Sequence, residues 1–201
     1  MYFIWDTERI NNTKIYMLGY IIADENFNIV EKNIVIDDSI DLSSRTQPKQ
    51  KKELLFNQSI VCDCFDTFIC FLKPKLIDEN FISVCFGKEE FASLNDQLKL
   101  HDYEPITGKF YDVKELSTLF DIKGNHKCNN LGSFASMFSF EHDAHNPLSD
   151  SLLTYHLFKY IKDYYLDNSI GDYLSDIPNK RKVLDSKIAF QLKKEKELQN
   201  V

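Results

Sequence analysis

Five residues have the types and spacing to share a reaction: Asp6, Glu8, Glu90, Asp150 and His145. Asp6 and Glu8 close an apolar run, Tyr2-Phe3-Ile4-Trp5, that reads as a strand. Side chains alternate across a strand, so Tyr2, Ile4, Asp6 and Glu8 share one face. Two carboxylates so placed repel each other and lose solvation, and a divalent cation removes both penalties. A strand running into a solvated turn has the same D-x-E appearance, so the other acids decide the reading. Hard oxygen ligands without thiolates suit Mg²⁺ or Mn²⁺. Several carboxylates converging on two such ions are what phosphoryl-transfer chemistry uses.

The elements that must position these residues come next. Ile15 to Ala23 and Asn28 to Ile36 read as strands that form an antiparallel meander with the first. Ser39 to Lys52 is polar, contains Pro48 and reads as a loop; its Arg45, Lys49, Lys51 and Lys52 read as solvated surface. Ser59 to Leu72 has helical spacing on Val61, Phe65, Phe68, Ile69 and Leu72, with Cys62 and Cys64 inside it and Pro74 ending it. Phe81 to Phe86 reads as a buried parallel strand. A helix follows from about Lys88 to Leu100. There Glu90, Leu94 and Leu98 share the inward stripe, while Glu89 and Asp96 fall off it. Glu90 is then an inward-facing acid in a first helical turn.

Phe110 to Val113 reads as a short strand, Val113 to Leu119 as a helix, Gly124 to Asn130 as a loop, and Leu131 to Met137 as a short helix. The last helix opens with Asn146 as N-cap and Pro147 at the first helical position, and runs to about Tyr165. Asp150 shares its stripe with Leu153 and Leu157, a second inward-facing acid in a first turn. His145 precedes the cap, free to swing over the site, whereas His142 and His156 read as ordinary.

The net charge of −7 argues against a protein that coats nucleic acid electrostatically. The charge is uneven: from Asn179 to the end there are seven Lys/Arg against three Asp/Glu. An acidic body can still act on a polyanion if metal ions carry the local positive charge. Five cysteines (Cys62, Cys64, Cys70, Cys85, Cys128) without zinc-ribbon spacing read as structural thiols. There is no run of 18 apolar residues and no secretory signal pattern, so the expected location is cytoplasmic and no membrane is expected as a partner. The oligomeric state is not legible. We expect an exonuclease-like domain over residues 1–170 and a charged, helical extension over 171–201.

Residues 1 to 165 resemble the DEDDh family of 3′–5′ exonucleases. The first motif is Asp6-Thr7-Glu8, followed by Ile15-Tyr-Met-Leu-Gly-Tyr-Ile-Ile, similar to the family's second strand. The third, H-x(4)-D, is His145 to Asp150, preceded by Leu131-Gly-Ser-Phe-Ala. The second reads Phe86-Gly87-Lys88-Glu89-Glu90, similar to a W-G-x-x-D variant, with Glu90 where the family has Asp. The resemblance implies an α/β ribonuclease H-like fold: a mixed sheet of about five strands with helices on both faces. It implies two Mg²⁺ or Mn²⁺ ions on Asp6, Glu8, Glu90 and Asp150, and His145 as general base. The implied reaction removes nucleoside 5′-monophosphates from the 3′ end of RNA or single-stranded DNA. Thr7, Arg9, Ile10 and Phe86 are the expected substrate-side residues. The alternative is a pseudo-nuclease that keeps the fold as a nucleic-acid-binding or protein-interaction module.

Overall fold

The structure is a computed structural model that describes residues 1–10, 14–42, 46–122, 130–165 and 170–178. Cys128, most of the expected loop at 124–130 and the charged extension beyond Pro178 lie outside the described residues. Three long strands form the meander: β1 (Tyr2–Ile10), β2 (Lys14–Ala23) and β3 (Ile29–Asp37). Next come α1 (Thr46–Phe56), β4 (Ile60–Cys62), α2 (Phe65–Ile77), β5 (Ile82–Cys85) and α3 (Glu89–Leu100). The chain continues through β6 (Lys109–Asp112), α4 (Val113–Leu119), α5 (Leu131–Phe138), α6 (Pro147–Tyr165) and β7 (Ser175–Asp176).

Among the described residues, one mixed sheet of seven strands runs in the order β4-β3-β2-β1-β5-β6-β7. β5 pairs parallel to β1, and β6 parallel to β5. The two strands beyond the expected five are short edges, β4 beside β3 and β7 beside β6.

Period-2 alternation along β1 divides the core. Phe3 and Trp5 pack with Phe68, Leu72, Phe91 and Leu94 of α2 and α3. Tyr2 and Ile4 pack on the other face with Phe134, Leu157, Phe158 and Ile161 of α5 and α6. At roughly 1.5–3 kcal/mol for each large apolar side chain buried, these two layers hold the sheet between its helices. Asp6 and Glu8 continue the α6 face, and Thr7 and Arg9 continue the α3 face. Among the described residues no helix is long and apolar enough to cross a membrane.

Four readings of the middle of the chain are corrected. The stretch at 39–52 is not all loop, because α1 begins at Thr46. Pro48 falls in its first turn, where the missing N–H has no intrahelical partner anyway. Lys51 and Lys52 are not free surface: Lys52 is buried against Asp38 at 2.9 Å, and Lys51 pairs with Asp143 at 2.8 Å. Ile60 to Cys62 is a strand, not the start of a helix, because a parallel partner is open beside Val35–Asp37. Val61 then points to solvent, while Phe65, Phe68, Ile69 and Leu72 form the buried stripe of α2. Pro74 does not end α2, which runs to Ile77. Proline there removes only the N–H that Cys70 would accept, and Cys70 is exposed.

Gly19 decides how α6 docks. It is the register partner of Asp6 on β1. A Cβ there would overlap the Pro147 carbonyl carbon and the Leu148 nitrogen, so only glycine lets the first turn of α6 sit on β2. Ser151 Oγ then donates to the Gly19 carbonyl at 2.9 Å. The first turn of α6, with Asp150, is thereby brought over Asp6.

Candidate metal and nuclease site

Ligand atoms of Asp6, Glu8 and Asp150 all lie within 4.8 Å of one another. Asp6 and Glu8 come from the α6 face of β1, and Asp150 from the first turn of α6. A register shift between Glu8 and Arg9 interrupts the β1–β2 ladder just beyond the pair, and such bulges bend a strand and re-aim its side chains. The three acids sit in a cleft of about 630 Å³, also lined by Thr7, Arg9, Phe86, Lys114, His142 and His145.

The electrostatics call for a cation. Burial pushes the Asp6 carboxyl well above the usual range, and the charges of Glu90, Asp150 and Glu8 push it further. Burial also raises Glu8, to about 8, with Asp150 and Glu90 adding to it and Arg9 and Lys51 opposing. Asp150 is raised by burial, against the pull of His142 and His145. Three half-buried to buried carboxylates that disfavour their own ionisation are a donor set that a hard divalent ion fits.

Glu90 lines the same cleft, but its oxygens are engaged by Thr7 and Arg9. It is 5 % exposed, on the inward stripe with Leu94 and Leu98. Its Oε2 accepts from the Thr7 amide at 3.2 Å and from the Thr7 hydroxyl. Its Oε1 pairs with Arg9 at 3.1 Å. Among the described residues it is not in the three-acid group.

Of the residues expected on the substrate side, Thr7, Arg9 and Phe86 line the cleft and Ile10 does not. Thr7 is buried and turned to Glu90. The Arg9 guanidinium is occupied by Glu90, by the Glu89 carbonyl at 3.1 Å and by Ser93 Oγ at 2.6 Å. Ile10 packs beyond the cleft with Tyr16, Met17, Leu42 and Leu55. Phe86 lines the cleft, edge-on to Phe134.

The histidines differ most from their sequence reading. His145 sits at the cleft mouth, its side chain 86 % exposed, with Nδ1 3.6 Å from Glu8 Oε1. Its φ of 63° is left-handed, a conformation in which His is among the more frequent non-glycine residues. His142, read as ordinary, is inside: Nε2 is 2.5 Å from Asp150 Oδ1. The available signal was its distance of eight residues from Asp150, which is uninformative without knowing how the chain turns at Ser139 and His145. His156 is packed between the rings of Phe140 and Tyr155.

No family model matches the chain, and no curated protein matches it. Solved structures do. The Mg²⁺- and Mn²⁺-bound form of S. pombe Pop2p superposes with a TM-score of 0.58 at 20% identity, covering 86% of this chain and 87% of that one. The nuclease domain of 3′hExo, described as a DEDDh family member bound to rAMP, gives a TM-score of 0.56 at 11% identity, with 82% and 92% covered. Product-bound exonuclease I gives 0.57 at 12% identity over 81% of this chain; the chain spans 43% of that protein's length. The fold is therefore the ribonuclease H-like α/β fold of these exonucleases.

Proposed function

We propose that the chain is a divalent-metal-dependent 3′–5′ exonuclease acting on RNA or single-stranded DNA. The observation that carries this reading is the group formed by Asp6, Glu8 and Asp150, two from the central strand β1 and one from the first turn of α6, in a sheet with this fold. A divalent ion held by these carboxylates supplies Lewis acidity at the scissile phosphate and lowers the pKa of a bound water. His145, at the cleft mouth, takes the proton of the attacking water. Lys114 and Phe86 line the same cleft, which supports assigning them to the 3′-terminal nucleotide. The products are nucleoside 5′-monophosphates. The rAMP bound by the similarly folded 3′hExo domain supports a cleft that accepts a nucleoside monophosphate.

The test is cleavage of 5′-labelled single-stranded RNA and DNA by the full chain. Stepwise shortening from the 3′ end with Mn²⁺ or Mg²⁺, abolished by EDTA and restored by added metal, is expected. Undiminished cleavage in excess EDTA would overturn the metal mechanism, and no cleavage under any metal condition would overturn the enzyme reading.

A further inference from the structure

We propose that Glu90 is a positioning residue held by Arg9, and that the cation site of the protein itself is made by Asp6, Glu8 and Asp150 alone. The inference rests on the metal-dependent reading above and departs from it at the fourth acid.

The argument begins with reach. Glu90 stands in the first turn of α3, where the helix N-terminus favours a carboxylate. From there its longer side chain crosses to the α3 face of β1, and both oxygens find partners on that strand. Oε2 takes the Thr7 amide and hydroxyl; Oε1 takes Arg9. An aspartate would hold its carboxylate one methylene closer to α3. The longer acid and the arginine three residues after Asp6 are thus one device.

Arg9 is committed just as fully. Its guanidinium reaches the Glu89 carbonyl, Ser93 Oγ and Glu90, all on the first turns of α3. Its side chain is 18 % exposed. It neutralises Glu90 and is spent on α3 rather than turned to a substrate phosphate. The clamp also fixes Thr7, which lies between Asp6 and Glu8 on the opposite face of β1. Holding Thr7 sets the strand that aims both ligands, and errors of about 1 Å in such positions can cost roughly a hundredfold in rate.

Mn²⁺ binding to the full chain, measured by isothermal titration and by the EPR signal of free Mn²⁺, tests the assignment without turnover. Asp150→Asn is the control and should weaken Mn²⁺ at least tenfold; if it does not, the metal reading itself fails. Given that control, the double variant Arg9→Met/Glu90→Gln, which removes the ion pair without changing net charge, should keep Mn²⁺ affinity within about threefold. A loss of tenfold or more in that double variant would make Glu90 a ligand and overturn the proposal. Melting temperatures supply a second measurement. Arg9→Met leaves a buried carboxylate without its ion-pair partner and should lower Tm more than the double variant Arg9→Met/Glu90→Gln, because breaking one half of a buried pair costs more than removing both. Additive losses would overturn the clamp. Any Arg9→Met protein that turns over should lose kcat with little change in KM; a selective rise in KM would assign Arg9 to substrate binding instead.

Discussion

His142 Nε2 lies 2.5 Å from Asp150 Oδ1, while His145 stands outside, its Nδ1 3.6 Å from Glu8. Two histidines three residues apart therefore take different places. The inner one holds one oxygen of Asp150, so on the proposed function it orients a carboxylate that would hold the ion. The outer one is accessible to water and substrate. His145→Ala should cut kcat by about 10²–10⁴, the span of a general base, with little change in Tm. His142→Ala should weaken Mn²⁺ binding about tenfold or more, as loss of a group orienting a ligand does. Steady-state kinetics and Mn²⁺ titration of the two variants, run in parallel, check this. If His142→Ala alone removes turnover while leaving Mn²⁺ affinity intact, the roles are exchanged.

The stability of the metal-free protein should fall as pH rises. Glu8 has a folded pKa of about 8 against an ordinary value of 4.5. Between those values the native state holds a proton that the unfolded chain has released, so stability decreases with pH across that window and levels off above it. Asp6 is shifted in the same direction and reinforces the slope. Saturating Mn²⁺ binds only the native state and replaces the repulsion with attraction, so it should raise Tm, most at the alkaline end. Thermal melts from pH 5 to 9, with EDTA and with Mn²⁺, measure both slopes. A metal-free Tm that climbs through this range would show that the carboxylates are not raised.

Gly19→Ala tests the docking that brings Asp150 to Asp6. The added methyl meets α6 backbone, not the end of a flexible side chain, so the helix must shift. The expected loss is about 3 kcal/mol, at the upper end of ordinary overpacking. It should be accompanied by weaker Mn²⁺ binding, because Asp150 moves with the helix. Denaturant unfolding gives the first quantity and Mn²⁺ titration the second. A variant of unchanged stability would mean that α6 does not contact β2 at this point.

Much of this was legible in the sequence, for reasons particular residues show. The alternation through Tyr2–Glu8 placed Asp6 and Glu8 on one face, and the spacing Glu90-Leu94-Leu98 turned Glu90 inward. Asn146 and Pro147 marked the start of α6, and the Asn146 side chain accepts from the Leu148 and Ser149 amides. What was hidden depended on tertiary partners. Ile60–Cys62 and Phe65–Leu72 merge into one apolar periodicity until β3 offers an edge. Gly19 looks like an ordinary strand residue until α6 is laid on it. His142 and Arg9 carry no local signal, because their partners, Asp150 and Glu90, are brought to them by loop geometry and by α3.

Lys51 ties α1 to the loop that carries both histidines. Its Nζ donates to Asp143 Oδ1 at 2.8 Å and to Oδ2 at 2.9 Å. Asp143 adjoins His142, and its Oδ2 also accepts from Asn146 Nδ2 at 3.0 Å. The pair is partly solvated, with side-chain exposures of 22 % and 62 %, so its contribution to stability is under about 1 kcal/mol. Its effect should appear in position rather than in stability. Lys51→Met should leave Tm within a degree or two but lower kcat about tenfold, because the loop holding His142 and His145 loses its outer anchor and small displacements at reacting groups are costly. Added salt should lower kcat in the wild type and change it less in the variant, since salt screens the tie where it exists. Reversing the pair, Lys51→Asp with Asp143→Lys, should recover part of the rate. Unchanged kcat in Lys51→Met would show that the bonds from the loop to the start of α6, Asp143 N–H to Ser149 Oγ at 3.0 Å and Asn146 Nδ2 to Asp143 Oδ2, suffice to hold the histidines in place.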